Sequence, residues 1–288
     1  MRLPLPGGVL DFSGPPLIMA IVNCNGDSFY APSRALGEKA VEKALAAEEE
    51  GAAIVDFGAE SSRPGSSYIS GEEELERLIP VIDAFRRRSC LPVSVDTRKA
   101  SVARSALDAG ADIINDISAL SDDPEMAALC AEKGAAVVLM HKKGLPLTMQ
   151  ENHGYENLAA EIKAFFKAAA ERALAAGIGA EKIILDPGIG FGKALEDNIR
   201  IIRLLAEICG NDYPVLVGLS RKSFIGEITG AAVKDGQEML SGTLAANTAA
   251  IMAGANIIRV HDVKEHRDLA KVLFAISREH LRGMVSAV

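Results

Sequence analysis

Four side chains suited to reading a flat heterocycle sit in four separate apolar stretches of this chain. They are Asp56 in AIVDFG, Asp96 in PVSVD, Asn115 in DIINDI and Asp186 in KIILD. A carboxylate accepts two N–H bonds side by side, and a carboxamide offers one donor and one acceptor. Taken singly, each is an ordinary helix cap or turn former. Together they match a ligand with several ring nitrogens and an amino group. A second set is cationic: Arg63, Arg221, Lys222, Arg259 and His261 each follow or close a strand-like run. Arg259 and His261 flank Val260, so a strand would turn both to one face. With Lys222-Ser223 nearby, that set suits an anionic leaving group. A two-metal hydrolase is the rival use of such Asp, Asn and His residues. Only His141 and His261 end apolar runs, and the chain has no His-x-His. His153, His266 and His280 read as surface residues. The stretch GIGFGK (188–193) lacks the spacing of a nucleotide loop. It reads as a glycine turn that lets backbone approach a ligand.

These groups need strands to carry them. Eight short apolar runs are present, at 17–23, 53–58, 92–96, 112–117, 136–140, 182–186, 214–218 and 256–260. They are nearly continuous rather than alternating, as expected of strands covered on both faces. Between them lie Ala-, Leu-, Glu- and Lys-rich stretches of helical spacing, such as 38–51 and 157–177. Several stop at a glycine: Gly51, Gly110, Gly134, Gly177 and Gly254. Eight β-then-α units predict an α/β fold, a (β/α)₈ barrel of a single domain over residues 1–288. A doubly wound open sheet is the alternative. Residues 1–16 are expected to form a hairpin or plug under the barrel. Strand C-terminal ends form the active face of such barrels, where the side chains above would meet.

Composition narrows the function. The 288 residues are 49% hydrophobic, enough for a large core, and carry a net charge of −8. An acidic chain without a basic stripe argues against nucleic acid as a partner. No apolar run reaches the ~18 residues of a membrane span. Four scattered cysteines without a CxxC pair fit a reducing, cytoplasmic setting.

The motifs GAESSRPG, SVDTRKA, INDI, LDPGIGFGK, GLSRKSFIG and IIRVHDV, in this order, resemble the dihydropteroate synthase family. The match runs from Ile18 to about Ala275. The resemblance implies a (β/α)₈ barrel that joins 6-hydroxymethyl-7,8-dihydropterin diphosphate to p-aminobenzoate, releasing diphosphate and 7,8-dihydropteroate. It implies that Asp96, Asn115, Asp186 and Lys222 hold the pterin, and that Ser62, Arg63, Arg259 and His261 contact diphosphate. Phe29, Pro64, Phe191, Lys222 and Ser223 would surround p-aminobenzoate. Asn23 would bind Mg²⁺, and Asp27 and Ser28 belong to the first loop. A homodimer is expected by the same resemblance. The first loop departs from the family pattern N-V-T-P-D-S-F, with Asn25-Gly26 where the family has Thr-Pro. Ala59 and Ser62 are milder departures. A methyltransferase on the same barrel would not need the SRKS and RVHD groups. A non-catalytic pterin-binding relative has only the altered first loop in its favour.

Overall fold

The structure, a computed structural model, describes residues 1–24, 33–60, 69–144, 154–231 and 238–285. Ten strands are found among them: β1 (Arg2–Leu5), β2 (Gly8–Asp11), β3 (Leu17–Asn23), β4 (Ile54–Gly58), β5 (Val93–Asp96), β6 (Ile113–Asp116), β7 (Ala136–Met140), β8 (Ile183–Asp186), β9 (Leu216–Val217) and β10 (Ile257–Val260). The helices are α1 (Ser33–Glu50), α2 (Gly71–Arg86), α3 (Ala100–Asp108), α4 (Met126–Lys133), α5 (Leu158–Ala175), α6 (Leu195–Arg203), α7 (Leu205–Cys209), α8 (Ser223–Thr229), α9 (Leu240–Met252) and α10 (Val263–Val285). Strands β3 to β10 form a parallel sheet in the order β8-β7-β6-β5-β4-β3-β10-β9. A bridge between Leu185 and Val215 brings its two edges together. The architecture is thus a nearly closed barrel of eight parallel strands with helices outside. All eight apolar runs contain one of these strands.

Five of the αβ connections share one device. Gly110 has φ +104°, and the N–H of Ala111 returns to the Ala106 carbonyl at 2.9 Å. That six-residue bond is the Schellman closure, which needs a left-handed residue where glycine has no Cβ to strain. The same bond follows Gly51, Gly134, Gly177 and Gly254. Four of these stops turn the chain straight back to the sheet, and after Gly177 a short 3-10 turn at Ala180–Lys182 comes before β8. At the other end of a helix, the Asn157 side chain caps α5 by accepting from Ala160 N–H at 3.2 Å.

Alternation along the strands divides the barrel into an apolar lower half and a polar mouth. Ile54, Ile113, Ile184 and Ile257 join one buried cluster with Met19, Val138 and Leu216. Leu3, Leu5 and Leu10 of the β1–β2 hairpin belong to that same cluster. Two residues further along the same strands stand Asp56, Asn115, Asp186 and Arg259. A spacing of two keeps each pair on one strand face. The intervening Val55, Ile114, Leu185 and Ile258 face outward into the helix-covered core.

Candidate active site

Five strands deliver the polar layer of the mouth. Parallel register sets Asp96 beside Gly58 and Asn115, and Asp186 beside Met140. Asp56 is fully buried at the centre. Its Oδ2 accepts Asn115 Nδ2 at 3.2 Å and Arg259 Nε at 2.6 Å. Arg259 Nη2 also reaches Asp96 Oδ2 at 3.1 Å. One guanidinium therefore ties together two strands' carboxylates. Asp56 Oδ1 and Asn115 Oδ1 are buried and have no hydrogen-bond partner among the described residues. Buried acceptors without donors are costly, and a ligand presenting N–H groups would relieve them.

Three carboxylates share this layer with one arginine. Burial pushes the Asp96 carboxyl up, an effect that Arg259 opposes and Asp56 reinforces. Burial raises Asp186 as well, against the hydrogen bond from Gly188 N–H and the cations Lys222, Arg259 and Lys193. That bond, Gly188 N to Asp186 Oδ1, is 2.7 Å long.

The rim carries the remaining groups. Lys222 directly precedes α8, and its Nζ lies 4.1 Å from the centroid of the Phe191 ring, a cation–π contact. Gly190 (φ +83°) makes room for the lysine stem, since a Cβ there would lie 3.2 Å from Lys222 Cδ. Ser223 opens α8 and is exposed. His261 follows β10, with Nδ1 2.9 Å from Ser220 Oγ. Asn23 ends β3, opposite Gly58, and is exposed. Arg221 does not join these cations. Its φ is +58° and its guanidinium pairs with Asp262 Oδ1 at 2.7 Å.

The sequence of the pterin-binding enzyme family matches residues 19–261. Dihydropteroate synthase of Escherichia coli K12 is 44% identical over 277 residues, spanning 96% of each chain. That of Synechocystis is 43% identical over 278 residues, again 96% of each. The chain belongs to the dihydropteroate synthase family. Its fold agrees with Yersinia pestis dihydropteroate synthase in a sulfonamide drug complex: TM-score 0.89, 39% identity, 97% of this chain and 100% of that one. The Xanthomonas albilineans enzyme with 4-aminobenzoic acid gives a TM-score of 0.88 at 38% identity, covering 96% of this chain and 98% of that one.

Of the residues that the family resemblance singles out, Asp96, Asn115 and Asp186 gather in the mouth, with Arg259 bonded among them. Lys222 and Phe191 meet at its rim. Asp27, Ser28, Phe29, Ser62, Arg63 and Pro64 lie outside the described residues. Two further expectations are corrected. Gly188 and Gly192 do not clear space for a ligand. A Cβ on Gly188 would press into the His141 carbonyl, and one on Gly192 into the Lys143 carbonyl. They are glycines so that the turn after β8 can lie against the end of β7. His266 is not a surface residue. It is 1% exposed in α10, with Nδ1 2.6 Å from the Asp262 carbonyl. Its signal was present: Val263, His266 and Ala270 share a helical face, and all three are buried.

Two side chains gain importance that their sequence positions understate. Asp56 belongs to the strand-end carboxylates but receives no ligand role from the resemblance. In the structure it is the hub that Asn115 and Arg259 share. Lys193 closes the glycine turn and is 3% exposed. A lone cation after GIGFG was the available clue. Cys24, Cys130 and Cys209 are buried with thiols pushed up to about 12 by burial, which makes them inert near neutral pH.

Proposed function

We propose that the barrel mouth binds 6-hydroxymethyl-7,8-dihydropterin diphosphate and joins its methylene carbon to the amino group of p-aminobenzoate. The family is that of dihydropteroate synthase, a transferase of folate synthesis. The observation that carries the site assignment is the Asp56–Asn115–Asp96–Arg259 cluster, with unsatisfied acceptors on Asp56 and Asn115 beside Asp186.

Asp96, Asn115 and Asp186 read the pterin's N–H and ring-nitrogen edge, and Lys222 lies over its ring. Arg259 uses two of its N–H groups on Asp56 and Asp96. A guanidinium has five such donors, so others remain for diphosphate. His261, Ser62 and Arg63 complete that anion site. Phe191, Ser223, Phe29 and Pro64 surround p-aminobenzoate, with Asp27 and Ser28 in the neighbouring first loop. In the reaction the methylene C–O bond breaks and its electron pair leaves with diphosphate. The carbon becomes cationic and delocalises into the pterin, a charge that the Asp186 carboxylate favours. The aniline lone pair then forms the C–N bond and one N–H proton is released. Arg259, Lys222 and His261 stabilise the departing negative charge. No covalent enzyme nucleophile takes part.

Asn23 ends β3 with an oxygen donor of the hard type that Mg²⁺ prefers. Among the described residues no three His, Cys, Asp or Glu side chains form a metal cluster. That suits an ion held mostly by substrate phosphate oxygens plus Asn23. Bound there, Mg²⁺ would neutralise charge on the leaving group. The free thiols, three buried and Cys90 exposed, fit a reducing cytoplasm. No helix among the described residues is long and apolar enough to cross a membrane. A homodimer is the expected assembly. A steady-state assay for diphosphate tests the function: release should require both substrates and Mg²⁺. Release that ignores p-aminobenzoate would refute it.

A further inference from the structure

Lys193 takes no part in the chemistry above, yet its ammonium is buried and fully engaged. Its Nζ donates to the Gly188 carbonyl at 2.8 Å, the His141 carbonyl at 3.0 Å and the Phe191 carbonyl at 3.1 Å. Those are the three donors an ammonium has. Among the described residues no carboxylate forms an ion pair with it. Burying such a charge is expensive, and an apolar side chain of similar size would serve a core better. Burial pushes Lys193 down to about 7; Asp186 of β8 and Asp197 of α6 favour the charge, while Lys222 opposes it.

The acceptors explain the expense. His141 follows β7, and Gly188 and Phe191 belong to the turn after β8. Gly188 N–H holds Asp186 Oδ1, and the Phe191 ring carries Lys222. Asn198 grips the same turn from α6, accepting from Gly190 N–H at 2.8 Å. The shape of the turn is thus passed directly to groups on both substrate sites.

We propose that Lys193 is a positioning residue: its ammonium clamps the 188–192 turn to the end of β7, fixing Asp186 for the pterin and Phe191 for p-aminobenzoate. This rests on the roles given to those two residues under the proposed function. The test compares Lys193→Met and Lys193→Arg with wild type, normalised to the calorimetric stoichiometry of pterin binding. Loss of alignment by a fraction of an ångström should lower kcat about tenfold in Lys193→Met and raise KM for p-aminobenzoate about fivefold. Lys193→Arg should recover part of both. A side chain that only filled the core would shift the melting midpoint and leave kcat and KM per folded molecule unchanged; that result overturns the proposal.

Should Lys193→Met fail to fold, the wild-type protein decides. With lysine ¹⁵N labels, the Lys193 ammonium, assigned by its loss from the Lys193→Arg spectrum, should shift on saturation with 6-hydroxymethylpterin. An unchanged signal overturns the proposal. Asp186→Asn separates the two levels. Unchanged pterin affinity there unseats the parent reading, whereas lost affinity there with wild-type kinetics in Lys193→Met unseats Lys193 alone.

Discussion

Along β4, β6, β8 and β10, an isoleucine stands two residues before a polar side chain: Ile54 and Asp56, Ile113 and Asn115, Ile184 and Asp186, Ile257 and Arg259. The lower member of each pair packs with the Leu3, Leu5 and Leu10 hairpin. The upper member is bonded into, or borders, a charged cluster with acceptors left open. One step of about 6.7 Å along a strand thus separates a layer whose energy comes from excluding water from a layer that spends energy to hold charge. The lower layer needs only volume and hydrophobicity, whereas the upper one needs named atoms in named places. The comparison teaches that stability and function in this barrel are stacked along each strand rather than divided between domains.

Breaking that division is most directly attempted at Arg259. Arg259→Met would leave Asp56 buried with its main cation gone, which typically costs about 3–5 kcal/mol. Turnover should be lost too. A loss of turnover with an unchanged urea midpoint would mean that Asp56 and Asp96 tolerate each other unpaired. The lower layer should behave in the opposite way. Ile113→Ala should cost about 2–5 kcal/mol through its cavity, while KM for both substrates stays within about twofold of wild type at temperatures where the variant is folded. Kinetics that changed in step with stability would show that the layers are mechanically coupled. On the proposed reading, Asp186→Asn puts a donor where an acceptor would face pterin N–H groups. It should weaken pterin binding by about 1.5–3 kcal/mol, read by calorimetry, with little effect on the melting midpoint.

The smallest effect is a slope. Lys193 falls from 10.5 in the unfolded chain to about 7 when folded. Between those values the unfolded chain holds a proton that the folded one gives up, so the three-carbonyl clamp is complete only below about pH 7. Stability therefore rises with pH above about 7, by at most about 1.4 kcal/mol per pH unit, and this group adds no slope below that point. Urea midpoints at about pH 7 and 8.5 should separate more in wild type than in Lys193→Met. Equal separations would place the proton elsewhere.

The strands were legible because a sheet covered on both faces writes unbroken apolar runs, and β3 and β7 match theirs end to end. The Schellman stops were legible because a left-handed turn there calls for glycine. The mouth was legible in outline, since polar residues ending apolar runs have few other uses. The pairing of Arg259 with Asp56 across 203 positions was not, because register and closure decide it. The role of GIGFG was misread for a related reason. A glycine announces close approach but does not say by what, and here it is a neighbouring carbonyl. Arg221 misled because a turn residue with positive φ sends its side chain to Asp262 rather than along the strand direction.

Gly188 and Gly192 also bear on how such an enzyme changes over generations. Every amino-acid replacement reachable from a glycine codon by one base change adds a side chain. At either position that side chain meets main-chain oxygen, which cannot rotate aside. The wall that carries Asp186 and Phe191 is therefore closed to single-step variation at these two points. A lineage pressed to discriminate between its natural aromatic substrate and a mimic has to draw its heritable options from other parts of the rim.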